Sequence, residues 1–168
     1  LYVWNNSGDL DYSNTTNISG VSNSTTWTTT LAANADYSWN CLTYDDADTS
    51  DWDSTNRTFT IDIIYPTISY ESPTDTAGDY ADRNYVQINI SASDTYLSNI
   101  TVYLYNTTNL VNSDTSTSSP HFVNFTSLAD GIYYYNATTS DSAGNSNSTI
   151  TRNITIDTTN PLIDLASP

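Results

Sequence analysis

The segment LADGIYYYNATTSDS, residues 128–142, alternates between apolar and polar side chains along its middle. Successive side chains of a β-strand point to opposite faces, so Tyr133, Tyr135 and Ala137 face one way and Asn136 faces the other. Gly and Asp before this run, and Asp and Ser after it, are residues that favour turns. The segment therefore predicts a strand with its tyrosines in a core and its asparagine in solvent.

Other short alternating runs surround this strand, and no segment has a sustained helical period. In YVQINISAS at 85–93 the aliphatic side chains share the inward phase, which places Asn89 outward. In TITRNITID at 149–157 the inward phase holds Ile150, Ile154 and Ile156. Short strands between turn clusters predict an all-β fold, an antiparallel immunoglobulin-like β-sandwich. The predicted strands lie near 66–70, 85–93, 100–105, 121–126, 132–139 and 149–157, with a weak seventh at 109–113.

The beginning of the chain repeats this pattern. LAANADYSWNCLTYDD at 31–46 matches residues 128–142 with one residue inserted, so that Tyr37 corresponds to Tyr133 and Trp39 to Tyr135. Internal repetition of this quality indicates tandem domains. The other matches are 1–7 with 102–108, 57–62 with 152–157, and 60–73 with 155–168.

This alignment divides the chain into three parts. Residues 1–62 correspond to a sandwich domain that lacks its first two strands, residues 63–157 to a complete domain, and residues 158–168 to the first strand of a following or neighbouring domain. Two explanations stay open: an excerpt from a longer tandem array, or a strand donated between subunits by β-augmentation. Pro66 and Pro161 stand just after the preceding strands, and they predict short, stiff linkers and an extended rod.

N-glycosylation acceptors, Asn-x-Ser/Thr with x other than Pro, occur at twelve positions. Those in predicted strands lie on the polar phase, where a bulky glycan would leave the core undisturbed. The pattern predicts N-linked glycans and an extracellular or cell-surface location. The acceptors are Asn5, Asn14, Asn17, Asn23, Asn56, Asn89, Asn99, Asn106, Asn124, Asn136, Asn147 and Asn153.

Composition restricts the partners. Ser and Thr supply 52 of the 168 residues, Lys is absent, and the net charge is −16. Three Arg and one His cannot form the positive surface that nucleic-acid binding needs. No apolar run is long enough to predict a membrane span, and the lone Cys41 excludes a disulfide framework within the chain. In the fibre or array that tandem domains on stiff linkers would form, the expected partners are copies of the protein or neighbouring repeats.

The stretch DDADTSDWD holds five aspartates within nine residues. Calcium prefers about six to eight oxygen ligands, and a carboxylate-rich loop supplies several of them. The alternative is a solvated turn that aspartate caps, since the glycine and glutamate of an EF-hand loop are missing. Ca²⁺ is the one metal considered, and its candidate ligands are Asp45, Asp46, Asp48, Asp51 and Asp53. Further acidic sites near domain ends would use Asp62, Asp94, Asp141 and Asp157.

The remaining reactive side chains favour structural roles. Arg57 and Arg152 occupy matching inward positions, where each would cover an aromatic ring or pair with an aspartate. His121 has no second histidine or nucleophile nearby in sequence and begins a strand. Cys41 aligns with Ala137 and is predicted to be a small buried hydrophobe. No pocketed acid pair of the glycosidase kind is evident, so no catalytic residues or further cofactors are predicted.

SDSAGNSNSTITRNITIDTTNPLIDLASP at 140–168 resembles the immunoglobulin-like and fibronectin-III-like tandem repeats of prokaryotic cell-surface proteins, and archaeal repeats most closely. The resemblance rests on the Asp-x-Ala-Gly-Asn turn at 141–145 and on the junction Ile-Asp-Thr-Thr-x-Pro at 156–161. In the first copy DDADTSDWD replaces this turn. The resemblance implies stalks, surface layers, adhesins or filament subunits.

Three functions are therefore expected, in this order. The first is an extracellular, N-glycosylated structural repeat that forms a filament, stalk or surface layer. The second is an adhesin module that binds carbohydrate or a cell-surface partner through loops or exposed aromatics such as Trp27, Trp52 and Tyr80. The third is an accessory domain of a secreted enzyme.

Overall fold

The computed structural model describes residues 1–20 and 23–163, which form fifteen β-strands and no helix. The all-β prediction is confirmed. The chain separates into two compact units, Leu1–Ile64 and Tyr65–Pro168. Within the described residues no helix is long and apolar enough to cross a membrane.

The second unit is a sandwich of two sheets. One sheet has the strand order β11-β10-β13-β15-β8, with β14 paired to β13, and the other has the order β12-β9-β7. All pairs are antiparallel except β15 with β8. The strands are β7 (Thr67–Glu71), β8 (Asp79–Ala81), β9 (Val86–Ser93), β10 (Leu97–Tyr105), β11 (Leu110–Ser116), β12 (His121–Phe125), β13 (Gly131–Asp141), β14 (Ser146–Ser148) and β15 (Arg152–Ile156).

The core of this unit lies between the two sheets. Alternate residues of β13 are buried, from Tyr133 through Tyr135 and Ala137, as the sequence predicts. Each fully buried aliphatic or aromatic side chain stabilises the fold by about 1.5–3 kcal/mol relative to exposure. The cluster comprises Ala81, Val86, Ile88, Ile90, Ala92, Ile100, Val102, Leu104, Val123, Phe125, Tyr133, Tyr135, Ala137, Ile154 and Ile156.

The first unit contains one four-stranded antiparallel sheet, in the order β2-β1-β3-β6, and a separate hairpin of β4 and β5. Only Val3 and Tyr37 are buried hydrophobic residues among those described in this unit. The strands are β1 (Tyr2–Asn5), β2 (Leu10–Ser13), β3 (Ala35–Asn40), β4 (Leu42–Tyr44), β5 (Ser50–Trp52) and β6 (Arg57–Ile61).

The sheet of the first unit reproduces the order and register of β11-β10-β13-β15. Val3 lies opposite Trp39 just as Leu104 lies opposite Tyr135. On the next strand Trp39 lies opposite Arg57, and Tyr135 lies opposite Arg152. In the second unit the inner face of this sheet is covered by β12-β9-β7. The described residues of the first unit contain no second sheet of that kind.

The structure departs from the predicted strands in three respects. The short polar strands β8 and β14 were not predicted, because three residues give no readable alternation. β8 pairs parallel to β15, within a fold predicted to be antiparallel. Ile150, expected inward, is 75% exposed, because β15 begins only at Arg152. Residues 158–163 lie in no strand and residues 164–168 are outside the described part of the chain, so the first strand of a third domain stays a prediction.

Candidate functional surfaces

Asp45 closes the turn between β4 and β5. Its Oδ1 accepts the backbone N–H groups of Ala47 and Thr49, both at 2.9 Å. The hydrogen bond from Thr49, followed by that from Ala47, lowers the pKa of the Asp45 carboxyl, because both stabilise the ionised form. Asp45 therefore has the geometry of an aspartate that caps a turn.

Asp141 holds the turn between β13 and β14 in the same way. Its Oδ1 accepts the N–H groups of Ala143 at 2.8 Å and Asn145 at 2.9 Å. Desolvation alone would raise the pKa of this buried carboxyl, but the hydrogen bonds from Asn145, Gly144 and Ala143 outweigh it and lower the pKa. The Ala-Gly-Asn turn and the DDADTSDWD turn thus share one geometry.

The five aspartates predicted to bind Ca²⁺ do not converge. Within the described residues, no three of their carboxylates have oxygen atoms within 4.8 Å of one another. Asp53 is engaged elsewhere, with Oδ2 3.4 Å from Arg57 and Oδ1 accepting the N–H of Ser54. All five side chains are exposed. Calcium binding at this turn stays a prediction, and the geometry favours the turn-capping alternative.

The further acidic candidates are distributed over the fold. Within the second unit, carboxylate oxygens of Asp94 and Asp141 lie within 4.8 Å of each other. Asp157 lies at the opposite end of β13, since it follows Ile156, which pairs with Gly131. Asp62 belongs to the first unit. Asp94 and Asp141 are thus the only two of the four that meet within one unit.

The structure sorts the glycosylation acceptors by accessibility. Asn14, Asn17, Asn23, Asn56, Asn106, Asn124 and Asn147 are exposed. Asn5, Asn99, Asn136 and Asn153 are half-buried. Exposed acceptors occur in both units, on loops and on strands. Eleven of the twelve acceptors therefore have at least partial access to solvent.

Asn89 is the exception and corrects the sequence-based expectation. It lies on the outward phase of β9, yet it is only 9% exposed, because the residues after β7 cover it. Its Nδ2 donates a hydrogen bond to the Ser72 carbonyl at 2.8 Å, and its backbone N–H donates to Thr74 Oγ1 at 2.8 Å. The nitrogen that would carry a glycan is occupied and enclosed.

Three aromatic rings gather on the first unit. The rings of Tyr2 and Trp4 stack at 5.9 Å between centroids with planes 14° apart. Trp52, 43% exposed, meets Tyr2 at 5.0 Å and Trp4 at 5.7 Å. The sequence predicts Trp52 as an exposed aromatic residue. It does not predict the contacts of Trp52 with Tyr2 and Trp4, because these residues are distant in sequence and only folding brings them together. Of the other aromatics predicted, Tyr80 is 80% exposed and Trp27 is half-buried.

Both arginines of the repeat cover aromatic rings, as predicted. The Arg152 guanidinium lies 3.9 Å from the centre of the Tyr70 ring, and that of Arg57 lies 5.0 Å from the Trp39 ring. Burial raises the pKa of the Tyr70 hydroxyl despite hydrogen bonding to Thr149 and the charge of Arg152. These arginines have a structural role.

His121 and Cys41 also occupy structural positions. His121 is the first residue of β12 and is 8% exposed, with Nε2 3.1 Å from Asp114 Oδ2. Cys41 is half-buried between β3 and β4, and its carbonyl accepts the N–H of Asp53 at 3.1 Å.

Two depressions on the surface of the first unit are open to solvent and contain exposed aspartates. One of about 470 Å³ lies over the edge of β1, β3 and β6 and contains the exposed Asp36. A second of about 310 Å³ lies beside the β4–β5 turn, with the exposed Asp45 and Asp51. Neither depression encloses an acid away from water.

The strand order of the second unit defines an immunoglobulin-like β-sandwich, the class to which fibronectin(III)-like modules belong. No known protein family matches the sequence, and no curated protein does. Fibronectin(III)-like modules of CbhA from Clostridium thermocellum are similar at 21% identity and a TM-score of 0.42, over 56% of this chain and 100% of theirs.

Two further solved structures are similar over a smaller share of their own length. An engineered protein matches at 14% identity and a TM-score of 0.44, over 58% of this chain and 21% of that one. Dimeric latent PorU from Porphyromonas gingivalis matches at 17% identity and a TM-score of 0.42, over 75% of this chain and 12% of that one. The chain thus spans about a fifth or less of both proteins, and these distant likenesses carry no conclusion about function.

Proposed function

We propose that this chain is part of an extracellular, N-glycosylated structural repeat protein that forms a filament, stalk or surface layer. The observation that carries the proposal is the distribution of accessible acceptors: eleven of the twelve sequon asparagines reach solvent while the core between the sheets stays apolar. The net charge of −16 and the glycans would keep the exposed surfaces of such a protein soluble.

The repeated sheet supports the tandem part of this proposal. The sheet β2-β1-β3-β6 of the first unit and the strands β11-β10-β13-β15 of the second have the same strand order and register. Duplication of a domain would produce this similarity. In this proposal residues 1–62 are a sandwich domain without its first two strands, residues 63–157 are a complete domain, and residues 158–168 begin another. Neighbouring repeats or other copies of the chain would supply the missing strands.

Two measurements on protein from its source cells test the proposal. Intact-mass analysis before and after chemical deglycosylation should show several occupied acceptors, and electron microscopy should show a regular fibre or lattice. An unchanged mass after deglycosylation would refute the proposal that the protein is N-glycosylated. Isolated strings with a distinct head in the electron micrographs would refute the proposed array and favour an adhesin.

A second candidate function is an adhesin module, and the Tyr2–Trp4–Trp52 cluster favours it. The C–H face of a pyranose ring packs well against exposed aromatic rings. A glycan array probed with the whole chain and with Trp52→Ala tests this candidate: specific binding that the substitution removes would support it. The fold is equally compatible with an extracellular accessory domain of a secreted enzyme, and that role is the third candidate.

A further inference from the structure

The outward face of β12 has an aromatic ring beside a glycosylation acceptor. Phe122 is 47% exposed and Asn124 is exposed, whereas His121, Val123 and Phe125 between and beside them are buried. Residues two apart on a strand share a face and lie about 6.6 Å apart. The phenyl ring is thus an exposed apolar surface next to the amide that a glycan would modify.

The same spacing recurs where the side chains touch. Asn14 Nδ2 donates a hydrogen bond to the Tyr12 hydroxyl at 3.1 Å, so an aromatic residue two positions before an acceptor reaches its amide nitrogen. Tyr134 stands two positions before Asn136 on β13, but there Nδ2 donates to Thr151 Oγ1 and the asparagine is half-buried. Asn124 combines an exposed amide with an exposed ring.

We propose that Asn124 carries an N-linked glycan whose first sugar lies on the ring of Phe122. The sugar attached to Nδ2 extends from the strand beside the ring, and contact between its C–H face and the phenyl removes apolar surface from water. The sugar would stabilise the second unit and, because β12 is an edge of its sheet, hinder pairing of that edge with another strand. This inference rests on the proposed function, since it needs a glycan.

A double-substitution cycle on the whole chain, secreted from a glycosylating yeast, tests this contact. Thr126→Ala removes the acceptor at Asn124, and Phe122→Ala removes the ring. We expect Phe122→Ala to lower the thermal midpoint of the second unit by about 3–6 °C more when the sugar is present than in the Thr126→Ala background. The difference should persist after endoglycosidase H trims the glycan to one N-acetylglucosamine, because the first sugar makes the contact.

Asn106 supplies the matched control. It is an exposed acceptor in the same unit, and the residue two positions before it, Leu104, is fully buried. Removal of the sugar at Asn106 by Thr108→Ala should leave unchanged the decrease in thermal midpoint that Phe122→Ala causes. Phe122→Tyr should keep the coupling, and Phe122→Leu provides an apolar variant without a ring should the alanine variant fail to fold.

The outcomes separate this inference from the proposed function. Protein from its source cells with no sugar on any acceptor would refute both. The inference alone would be overturned if other acceptors carried sugars and Asn124 did not. It would also be overturned if Phe122→Ala lowered the thermal midpoint equally with and without the sugar at Asn124. An equal decrease in midpoint would mean that the Phe122 ring contacts protein instead of the sugar, such as a second copy of the chain.

Discussion

Asp45 and Asp141 cap two turns in the same way, although they lie in different units. Each carboxylate accepts the backbone N–H groups of the residues two and four positions further on, at 2.8–2.9 Å. The third residue after each aspartate has a positive φ, 59° at Asp48 and 95° at Gly144. One turn geometry is thus built from two different sequences.

This equivalence predicts a reciprocal pair of substitutions. The left-handed conformation strains a residue that has a Cβ, and glycine adopts it freely. Asp48→Gly should therefore stabilise the first unit, and Gly144→Asp should destabilise the second, each by about 0.5–1 kcal/mol. Denaturant unfolding measures both, with tryptophan fluorescence reporting the first unit, because all four tryptophans lie there. Changes of the same sign at both positions would contradict a shared turn.

The hydroxyls of two corresponding tyrosines tie their strands to the preceding segments. Tyr37 donates to the Ala32 carbonyl at 3.1 Å and Tyr133 to the Ala129 carbonyl at 3.0 Å. Replacement of either tyrosine by phenylalanine should lower the free energy of unfolding of its unit by about 1 kcal/mol, the net value of such a hydrogen bond. Unfolding of the second unit is followed by circular dichroism, and unfolding of the first by tryptophan fluorescence. Loss of stability at only one of the two positions would show that the hydrogen bonds are not equivalent.

Acid should lower the stability of both units through three aspartates whose pKa values are lowered by hydrogen bonds. Hydrogen bonds from the backbone and hydroxyl of Thr158, and from Thr159, lower the pKa of Asp130, and the pKa values of Asp45 and Asp141 are also lowered. Near pH 4 the unfolded chain then binds more protons than the folded one, so the free energy of unfolding falls with decreasing pH. The contribution is complete above the ordinary aspartate pKa of about 3.9 and is lost as the pH falls through the lowered values.

Urea midpoints measured from pH 6 to pH 2 test this expectation. Asp130→Asn removes one of the titrating groups and should flatten the acid limb of the curve. A slope unchanged by this substitution would mean that other carboxylates cause the acid sensitivity.

Asn89 should carry no sugar in folded protein. Its Nδ2 donates to the Ser72 carbonyl, and the side chain has no room for a glycan. Glycopeptide mapping should find Asn89 bare where Asn124, the exposed acceptor on the neighbouring strand, is occupied. A folded protein with a glycan at Asn89 would show that the segment after β7 does not cover this position.

Thermal melts with and without Ca²⁺ decide between the calcium site that the sequence predicts at the β4–β5 turn and the turn-capping role of Asp45, which predicts an unchanged midpoint of the first unit. The Oδ1 atom of Asp45 already accepts two backbone N–H groups, and the carboxylates of the β4–β5 turn do not converge. Tryptophan-detected melts with 1 mM EDTA and with about 100 µM free Ca²⁺, a range that weak extracellular sites bind, provide the comparison. A midpoint that rises with Ca²⁺ and returns with EDTA would establish a calcium site here.

The long, alternating strands of the second unit could be predicted because a strand with one face in a core needs a period of two. Tyr133, Tyr135 and Ala137 follow that period, and all three are buried. Short strands do not carry this signal. β8 is defined by its pairing with β15, and β14 by its pairing with β13, rather than by any pattern of its own.

The sequence by itself determined the all-β class, the repeated sheet and the polar phase of the acceptor asparagines, because these depend on the local period of a strand. Only the tertiary structure decided which acceptors are accessible and which aromatic rings meet. Asn89 lies on the outward phase but is covered by residues that come much earlier in the chain, and Trp52 joins Tyr2 and Trp4 through folding of distant strands. A periodic pattern specifies which face a side chain belongs to, whereas burial of that face depends on what folds over it.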